Sequence, residues 1–129
     1  MLNKDQILKA DDLKTLLVDV PEWGGQVKIK QMTGAERDAF EQATYRKNGS
    51  SYEVNLRDMR ARLCAVCIVG DDGKRFFDDS DIAALSMKSA IALDRVFSAC
   101  QELNALTNKD VEELGKDLGQ TQTGDSITV

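Results

Sequence analysis

Residues 20–40, which read VPEWGGQVKIKQMTGAERDAF, change hydrophobic period midway and decide the N-terminal part of the fold. Apolar residues occupy every second position from Leu16 to Val20, and again from Val27 to Ile29. Such alternation places apolar side chains on one face of a β-strand. The sequence therefore predicts two strands on either side of the segment that contains the only proline and the only tryptophan of the chain.

The connection between the two strands is a turn, and the second strand leads into a helix. Gly24 and Gly25 accept the positive φ angles of a tight turn, so we expect a hairpin-like β-ribbon over residues 14–32. Thr33 and Glu36 then match the capping box, in which a hydroxyl and a carboxylate bind free N–H groups of a helix N-terminus. A small β-ribbon therefore precedes the first helix directly.

The rest of the chain has the pattern of helices separated by polar turns. Apolar residues at helical spacing, together with capping residues, predict helices over about residues 4–10, 53–69, 82–85, 88–103 and 111–118. Residues 47–51, Lys-Asn-Gly-Ser-Ser, are typical of a loop. We predict a mainly α fold, in which a small N-terminal β-hairpin is followed by a compact bundle of four to five helices over residues 33–118.

Length and composition indicate one domain. A chain of 129 residues suits a single core, and 42% apolar with only 5% aromatic residues favours a core of aliphatic side chains. We expect this domain to cover residues 1–118. Residues 119–129 lack a helical pattern, so we expect them to form a disordered C-terminal tail.

Composition also argues against several classes of function. The chain has no histidine, which removes His-activated nucleophiles and the commonest ligand of transition metals. Its net charge of −5 argues against binding of a phosphate backbone. No run approaches the roughly 20 apolar residues of a membrane span, and the first residues lack the apolar core of a secretory signal. We expect a cytosolic protein that is not an enzyme, carries no cofactor and binds neither membrane nor nucleic acid.

Two motifs resemble metal or redox sites. Cys64 and Cys67 form a Cys-x-x-Cys pair, but they lie among apolar residues inside a predicted helix rather than at its N-terminus, so we interpret them as core residues. The aspartates of residues 71–81 do not fit a calcium-binding EF-hand loop. With Gly73 as the sixth position of that loop, the first would be Ile68, which has no oxygen ligand. We interpret the aspartates as turn and helix-capping residues.

The candidate partner-binding residues are Trp23, Phe40, Arg57 and Arg60. We expect Trp23 to pack across the ribbon onto the first helix; the alternative is a partly exposed anchor for a partner. Phe40 lies on the apolar side of the first helix. Arg57, Arg60 and Arg62 lie mostly off the apolar stripe of the helix predicted over 53–69. For these arginines a solvated helix face is favoured over contact with an acidic partner.

Seven short stretches follow one another in a recognisable order: VPEWGG (20–25), MTGAERDAF (32–40), RARL (60–63), DGKRF (72–76), ALDRVF (92–97), QELN (101–104) and DVEEL (110–114). Their order resembles that of the tail assembly chaperones of long, non-contractile-tailed phages of the lambdoid kind. The resemblance covers about residues 14–118, and it rests on the whole set of stretches rather than on any one of them.

The resemblance implies a helper that acts in the host cytoplasm while the phage tail is built and is absent from the mature virion. Such a protein binds the tape measure protein, keeps it soluble and helps to recruit tail tube subunits. A longer form made by ribosomal frameshifting contacts the major tail tube protein, and codons for Gly115-Lys116 can form the slippery heptamer. The family has no catalytic residues to carry over.

Two further expectations concern partners. Several copies side by side on one long client need self-contacts, so we expect homo-oligomers. The alternative function is a small helical adaptor or regulatory domain that binds one protein or nucleic-acid partner.

Overall fold

The computed structural model describes residues 1–49 and 51–106 of the chain, and these contain five α-helices and five β-strands. In chain order the elements are α1 (Lys4–Lys9), β1 (Thr15–Val20), β2 (Gly25–Lys30), α2 (Gly34–Thr44), β3 (Tyr45–Asn48), β4 (Ser51–Val54), α3 (Met59–Cys67), β5 (Ile68–Val69), α4 (Ile82–Leu85) and α5 (Ala90–Leu103). The helix predicted over 111–118, the end of the domain and the tail predicted over 119–129 lie outside the described residues.

The predicted ribbon and the helix cap that follows it are confirmed. β1 and β2 pair in antiparallel register from Thr15 opposite Lys30 to Val20 opposite Gly25. The Thr33 hydroxyl accepts a hydrogen bond from the Glu36 N–H at 3.0 Å, and the Glu36 carboxylate accepts one from the Thr33 N–H at 2.9 Å. These two bonds satisfy N–H groups that the first turn of α2 leaves without helical partners.

The segment predicted as one helix over 53–69 is different in the structure. Residues 51–54 form β4, which pairs with β3 in a second hairpin, and the helix covers only Met59–Cys67. The loop predicted over residues 47–51 is confirmed only at Gly49, which has a φ of +67°; Lys47 and Asn48 belong to β3, and Ser51 belongs to β4. The strands on either side of Gly49 were not predicted.

The end of the predicted helix is a strand. Ile68 and Val69 form β5, which pairs with Ile29 and Lys28 of β2 and gives a sheet of order β1-β2-β5. Both residues are β-branched, and both are buried in this position. β-branched side chains favour a pleated surface over a helix, and here β2 provides the neighbouring strand.

The core lies between the three-stranded sheet and the helices α3 and α5. α5 packs against both α3 and β1. The largest apolar side chains that are fully buried are Val20, Ile29, Leu63, Ile68 and Val96. The predicted fold class is confirmed: the protein is helix-rich, with a β-hairpin near the N-terminus and five α-helices among the described residues.

Asn104, which ends α5, connects three parts of this core. Its side-chain oxygen accepts a hydrogen bond from the Met32 N–H at 2.7 Å, at the junction between β2 and α2. Its side-chain nitrogen donates to the Cys100 carbonyl at 2.9 Å and to the Cys67 sulfur of α3 at 3.6 Å. Asn104 is only 9% exposed, so these groups exchange few bonds with water.

Replacement of this buried amide should therefore be costly. In Asn104→Ala the buried Met32 N–H loses its acceptor, and we expect the free energy of unfolding to fall by about 2 kcal/mol. Urea denaturation followed by circular dichroism measures this change. Asn3→Ala is the matched control. It removes the cap of α1, which has no buried residues, so the expected loss is below about 0.5 kcal/mol. Equal losses in the two variants would contradict the role assigned to Asn104.

Candidate functional site

An open, mostly apolar cavity of about 410 Å³ lies beside the tip of the first hairpin. Its lining residues are Trp23, Phe77, Asp81, Ala84, Leu85 and Lys88. Four of these side chains are apolar, and the other two carry opposite charges. A cavity of this size and composition falls within the range of ligand and peptide-anchor sites in proteins. We call it the Trp23 cavity.

One wall of the Trp23 cavity is the short 3-10 helix Pro21–Trp23, which joins β1 to β2. Pro21 starts this helix with a fixed φ, and Gly24 ends it in the left-handed region with a φ of +76°. Glu22, the middle residue of this 3-10 helix, connects the helix to α5. The Arg95 Nε donates to Glu22 Oε1 at 2.8 Å, and its Nη2 donates to Glu22 Oε2 at 3.0 Å. These hydrogen bonds hold the pKa of Glu22 below its usual range.

The expected position of Trp23 is wrong in one respect. Trp23 is half-buried and packs against the core. It faces Phe77 and the α4 segment rather than the helix that follows the Thr33 cap, which is α2. The Glu22–Arg95 ion pair holds the hairpin tip against α5. The alternative interpretation, a partly exposed aromatic side chain, describes its surroundings better.

The opposite wall is held by capping interactions of acidic residues. Asp78 caps the 3-10 helix Asp79–Asp81, which runs directly into α4. The Asp78 carboxylate accepts hydrogen bonds from the hydroxyl and the N–H of Ser80, and these hold the pKa of Asp78 below its usual range. The Asp81 carboxylate in turn accepts the Asp78 N–H at 3.0 Å. The interpretation of these aspartates as capping residues is confirmed.

Exposed apolar side chains occur close in sequence to the lining of this cavity. Phe76 precedes Phe77 and is 66% exposed, and Met87 precedes Lys88 and is 83% exposed. Ile91, in the first turn of α5, is 63% exposed. Exposed apolar side chains that form one patch are typical of surfaces that bind other proteins, and these three are close to the cavity lining in sequence.

Phe40, the second candidate residue, is almost completely buried. It is 7% exposed, and the Arg62 guanidinium lies over its ring at 5.6 Å from the centroid. Arg62 itself is only 9% exposed, and its Nη2 donates to the Asn55 carbonyl at 2.7 Å. The prediction that Arg62 lies on a solvated helix face is therefore wrong, because α2 and the turn before α3 enclose it.

The other two candidate arginines lie at the surface. Arg60 is in α3 and forms an ion pair with Asp94 of α5. Arg57 is exposed and lies before α3 begins, in a turn where its N–H donates to Asn55 Oδ1 at 3.1 Å. Of the four candidates, only Trp23 lines the Trp23 cavity.

The three cysteines are buried core residues, as predicted for Cys64 and Cys67. Each has 0% of its surface exposed. Burial raises the pKa of Cys64 to about 12, and its thiol lies 3.8 Å from the Leu93 carbonyl as a donor. A hydrogen bond with Cys67, together with burial, raises the pKa of Cys100 as well. Thiols with raised pKa values stay protonated at neutral pH and are poor nucleophiles and poor metal ligands.

Within residues 1–49 and 51–106, no group of three or more Cys, Asp or Glu side chains is arranged to hold a metal ion. In the same part of the chain, no helix has both the length and the apolar character that a membrane crossing requires.

Comparison of the chain with protein-family models found no match, and comparisons with curated proteins and with solved structures found none either.

The buried thiols make stability depend on alkaline pH. An unfolded Cys64 releases its proton near its ordinary pKa of 9.0, whereas the folded protein retains that proton up to about pH 12. The unfolded state is therefore favoured increasingly between these two values, by about 1.4 kcal/mol per pH unit. Above pH 9 we therefore expect the free energy of unfolding of the wild type to fall by about 1.4 kcal/mol per pH unit relative to that of Cys64→Ala, which lacks this thiol.

Urea titrations of both proteins at several pH values from 8 to about 11 measure this difference. Other groups that titrate in this range affect both proteins alike and cancel. A difference that stays constant across the range would contradict a buried, protonated Cys64.

Proposed function

We propose that this protein is a non-enzymatic tail assembly chaperone of a long-tailed phage, which binds the tape measure protein and keeps it soluble. The observation that supports this proposal is the Trp23 cavity, an apolar site of about 410 Å³ that is open to a partner. We propose that such a partner also contacts the exposed side chains of Phe76, Met87 and Ile91, which are close in sequence to lining residues.

The chemistry of this site suits an amphipathic helix. A helix presents apolar anchors at intervals of three and four residues, and a partner with an aromatic-lined groove buries them. Trp23, Phe77 and Leu85 supply apolar surface for one anchor. Asp81 and Lys88 contribute charges of both signs, which favour charged residues on the polar side of the client helix. A tape measure protein is a long helical client with many such faces.

The remaining parts of the proposal concern assembly. We propose that the protein acts in the host cytoplasm, is absent from the mature virion and binds along the client as homo-oligomers. A frameshifted longer form recruits the major tail tube protein. The coding DNA around Gly115-Lys116 tests the frameshift, since a slippery heptamer is expected there and its absence would remove this site.

A substitution that fills the Trp23 cavity should abolish client binding. Ala84 is exposed and lines the cavity, so Ala84→Arg places a long charged side chain in it without removal of a core group. We expect the soluble fraction of a co-expressed tape measure protein from the same genome to fall several-fold. Centrifugation of the lysate and quantitative gel analysis measure that fraction.

Ala83→Arg is the matched control, because Ala83 is the exposed neighbour of Ala84 in α4 but does not line the cavity. Thermal denaturation checks that both variants are folded. If Ala84→Arg solubilised the client as well as Ala83→Arg does, the cavity would not be the binding site. If the wild type failed to solubilise the client, the proposed function would be wrong.

Salt dependence separates the proposed function from the alternative of a nucleic-acid adaptor. Binding of an apolar helix in a groove should change little with ionic strength, because burial of apolar surface supplies most of the free energy. Binding of a phosphate backbone weakens steeply as salt rises. A steep loss of client binding between low and high salt would favour the alternative.

A further inference from the structure

Within residues 1–49 and 51–106, the outer edge of β1 forms no backbone hydrogen bonds with another strand. Among the described residues β1 pairs only with β2 and lies at one end of the sheet. The Gln31 N–H, just after β2, donates to the Lys14 carbonyl, just before β1, at 2.9 Å. In the observed register, Leu16, Val18 and Val20 are therefore the residues of β1 that bond to β2. In an antiparallel ladder the alternate residues point their N–H and C=O groups the other way. These residues are Thr15, Leu17 and Asp19, and all three are exposed.

The centre of this edge also lacks the features that usually protect edge strands. Natural edges are commonly blunted by lysine, proline or a bulge, or covered by another segment. In β1 the central residues are Leu16, Leu17 and Val18, with Leu16 47% and Leu17 59% exposed. α1, which precedes the strand, buries none of its residues. An apolar edge of this kind favours pairing with another strand.

We propose that β1 pairs with β1 of a second copy of this chain, in antiparallel register about a two-fold axis at Leu17. In this register the outward-pointing groups of Thr15, Leu17 and Asp19 meet the same groups of the second copy. Leu17 then lies opposite Leu17, and each Thr15 hydroxyl lies opposite an Asp19 carboxylate. Apolar pairs and hydroxyl–carboxylate pairs across strands both stabilise a sheet.

The position of α5 supports a second copy as the occupant of this edge. α5 packs on β1, and it meets α3 through the hydrogen bond from the Cys64 thiol to the Leu93 carbonyl and through the Arg60–Asp94 ion pair. By the helical period, Arg95 and Glu102 lie on the side of α5 away from α3. β5 follows α3 at the other end of the sheet, so this side of α5 is the side of the β1 edge.

The charges on this side of α5 are self-complementary, because the side carries both a basic residue, Arg95, and an acidic residue, Glu102. A two-fold axis at Leu17 places both α5 helices on the same face of the joined sheet, in antiparallel directions. Arg95 of one copy then lies opposite Glu102 of the other, with the small Ala99 between them. The guanidinium has five N–H donors, and the hydrogen bonds to Glu22 involve those on Nε and Nη2. Opposite charges at matching positions favour this partner and this register.

This inference names the surface for the self-association that forms part of the proposed function. Its test uses the protein without any client, so the two proposals can fail separately.

Sedimentation equilibrium of the purified full chain tests the proposal. We expect a dimer for the wild type. Leu17→Lys places two like charges opposite each other at the centre of the interface, so its dissociation constant should rise about tenfold or more. Leu56→Lys is the matched control, because Leu56 is 57% exposed and lies outside β1. It should dimerise as the wild type does. A monomeric wild type, or equal effects of the two substitutions, would overturn the proposal.

Amide hydrogen exchange gives a second measurement that needs no variant. Exchange at Thr15, Leu17 and Asp19 should slow as the concentration of wild-type protein rises, because these N–H groups become bonded only in the dimer. Exchange at Leu16 and Val18, whose groups already bond to β2, should change less. Exchange that is independent of concentration at all five residues would overturn the proposal.

Discussion

The arrangement of this molecule depends on one buried amide, that of Asn104. A single side chain accepts the N–H of Met32, where β2 passes into α2, and donates to Cys67 of α3. It thereby fixes the C-terminal end of α5 against both the hairpin and the neighbouring helix. The Arg95–Glu22 ion pair ties α5 to the hairpin tip. Because the hairpin is held to α5 at both its base and its tip, Trp23 has a defined place and the cavity beside it has a rigid wall.

The parts of this fold that were predictable from the sequence are the local ones. The hairpin, the Thr33 cap and α5 each have their signal within a few residues, in alternation, a capping pair or a helical stripe. β5 has only two residues, and it is a strand because β2 lies beside it. Arg62 was predicted to be solvated, but it is buried over the ring of Phe40, which comes from a different helix. Such long-range contacts leave no periodic signal in the sequence.

The candidate site was predictable only in part, for the same reason. Trp23 was identified as a possible anchor from its type and its place in the turn. Its partners in the cavity, Phe77 and Leu85, lie more than fifty residues further along the chain. Asn104 was present in one of the stretches that carry the family resemblance, yet nothing in its neighbourhood indicated a buried hydrogen-bonding role. Met87 lies just before the helix predicted over 88–103 and Ile91 lies in its first turn; both are exposed, and no pattern in the sequence relates them to Trp23.

Binding of a client helix in the Trp23 cavity can be followed from the cavity itself. Trp23 is the only tryptophan of the chain, so its fluorescence reports this cavity alone. The most direct measurement is a titration of the wild-type protein with a tryptophan-free helical segment of the tape measure protein. We expect a blue shift of the emission and weaker quenching by acrylamide as the segment covers the indole. Binding detected by sedimentation with no change in the emission or the quenching of Trp23 would contradict binding in this cavity.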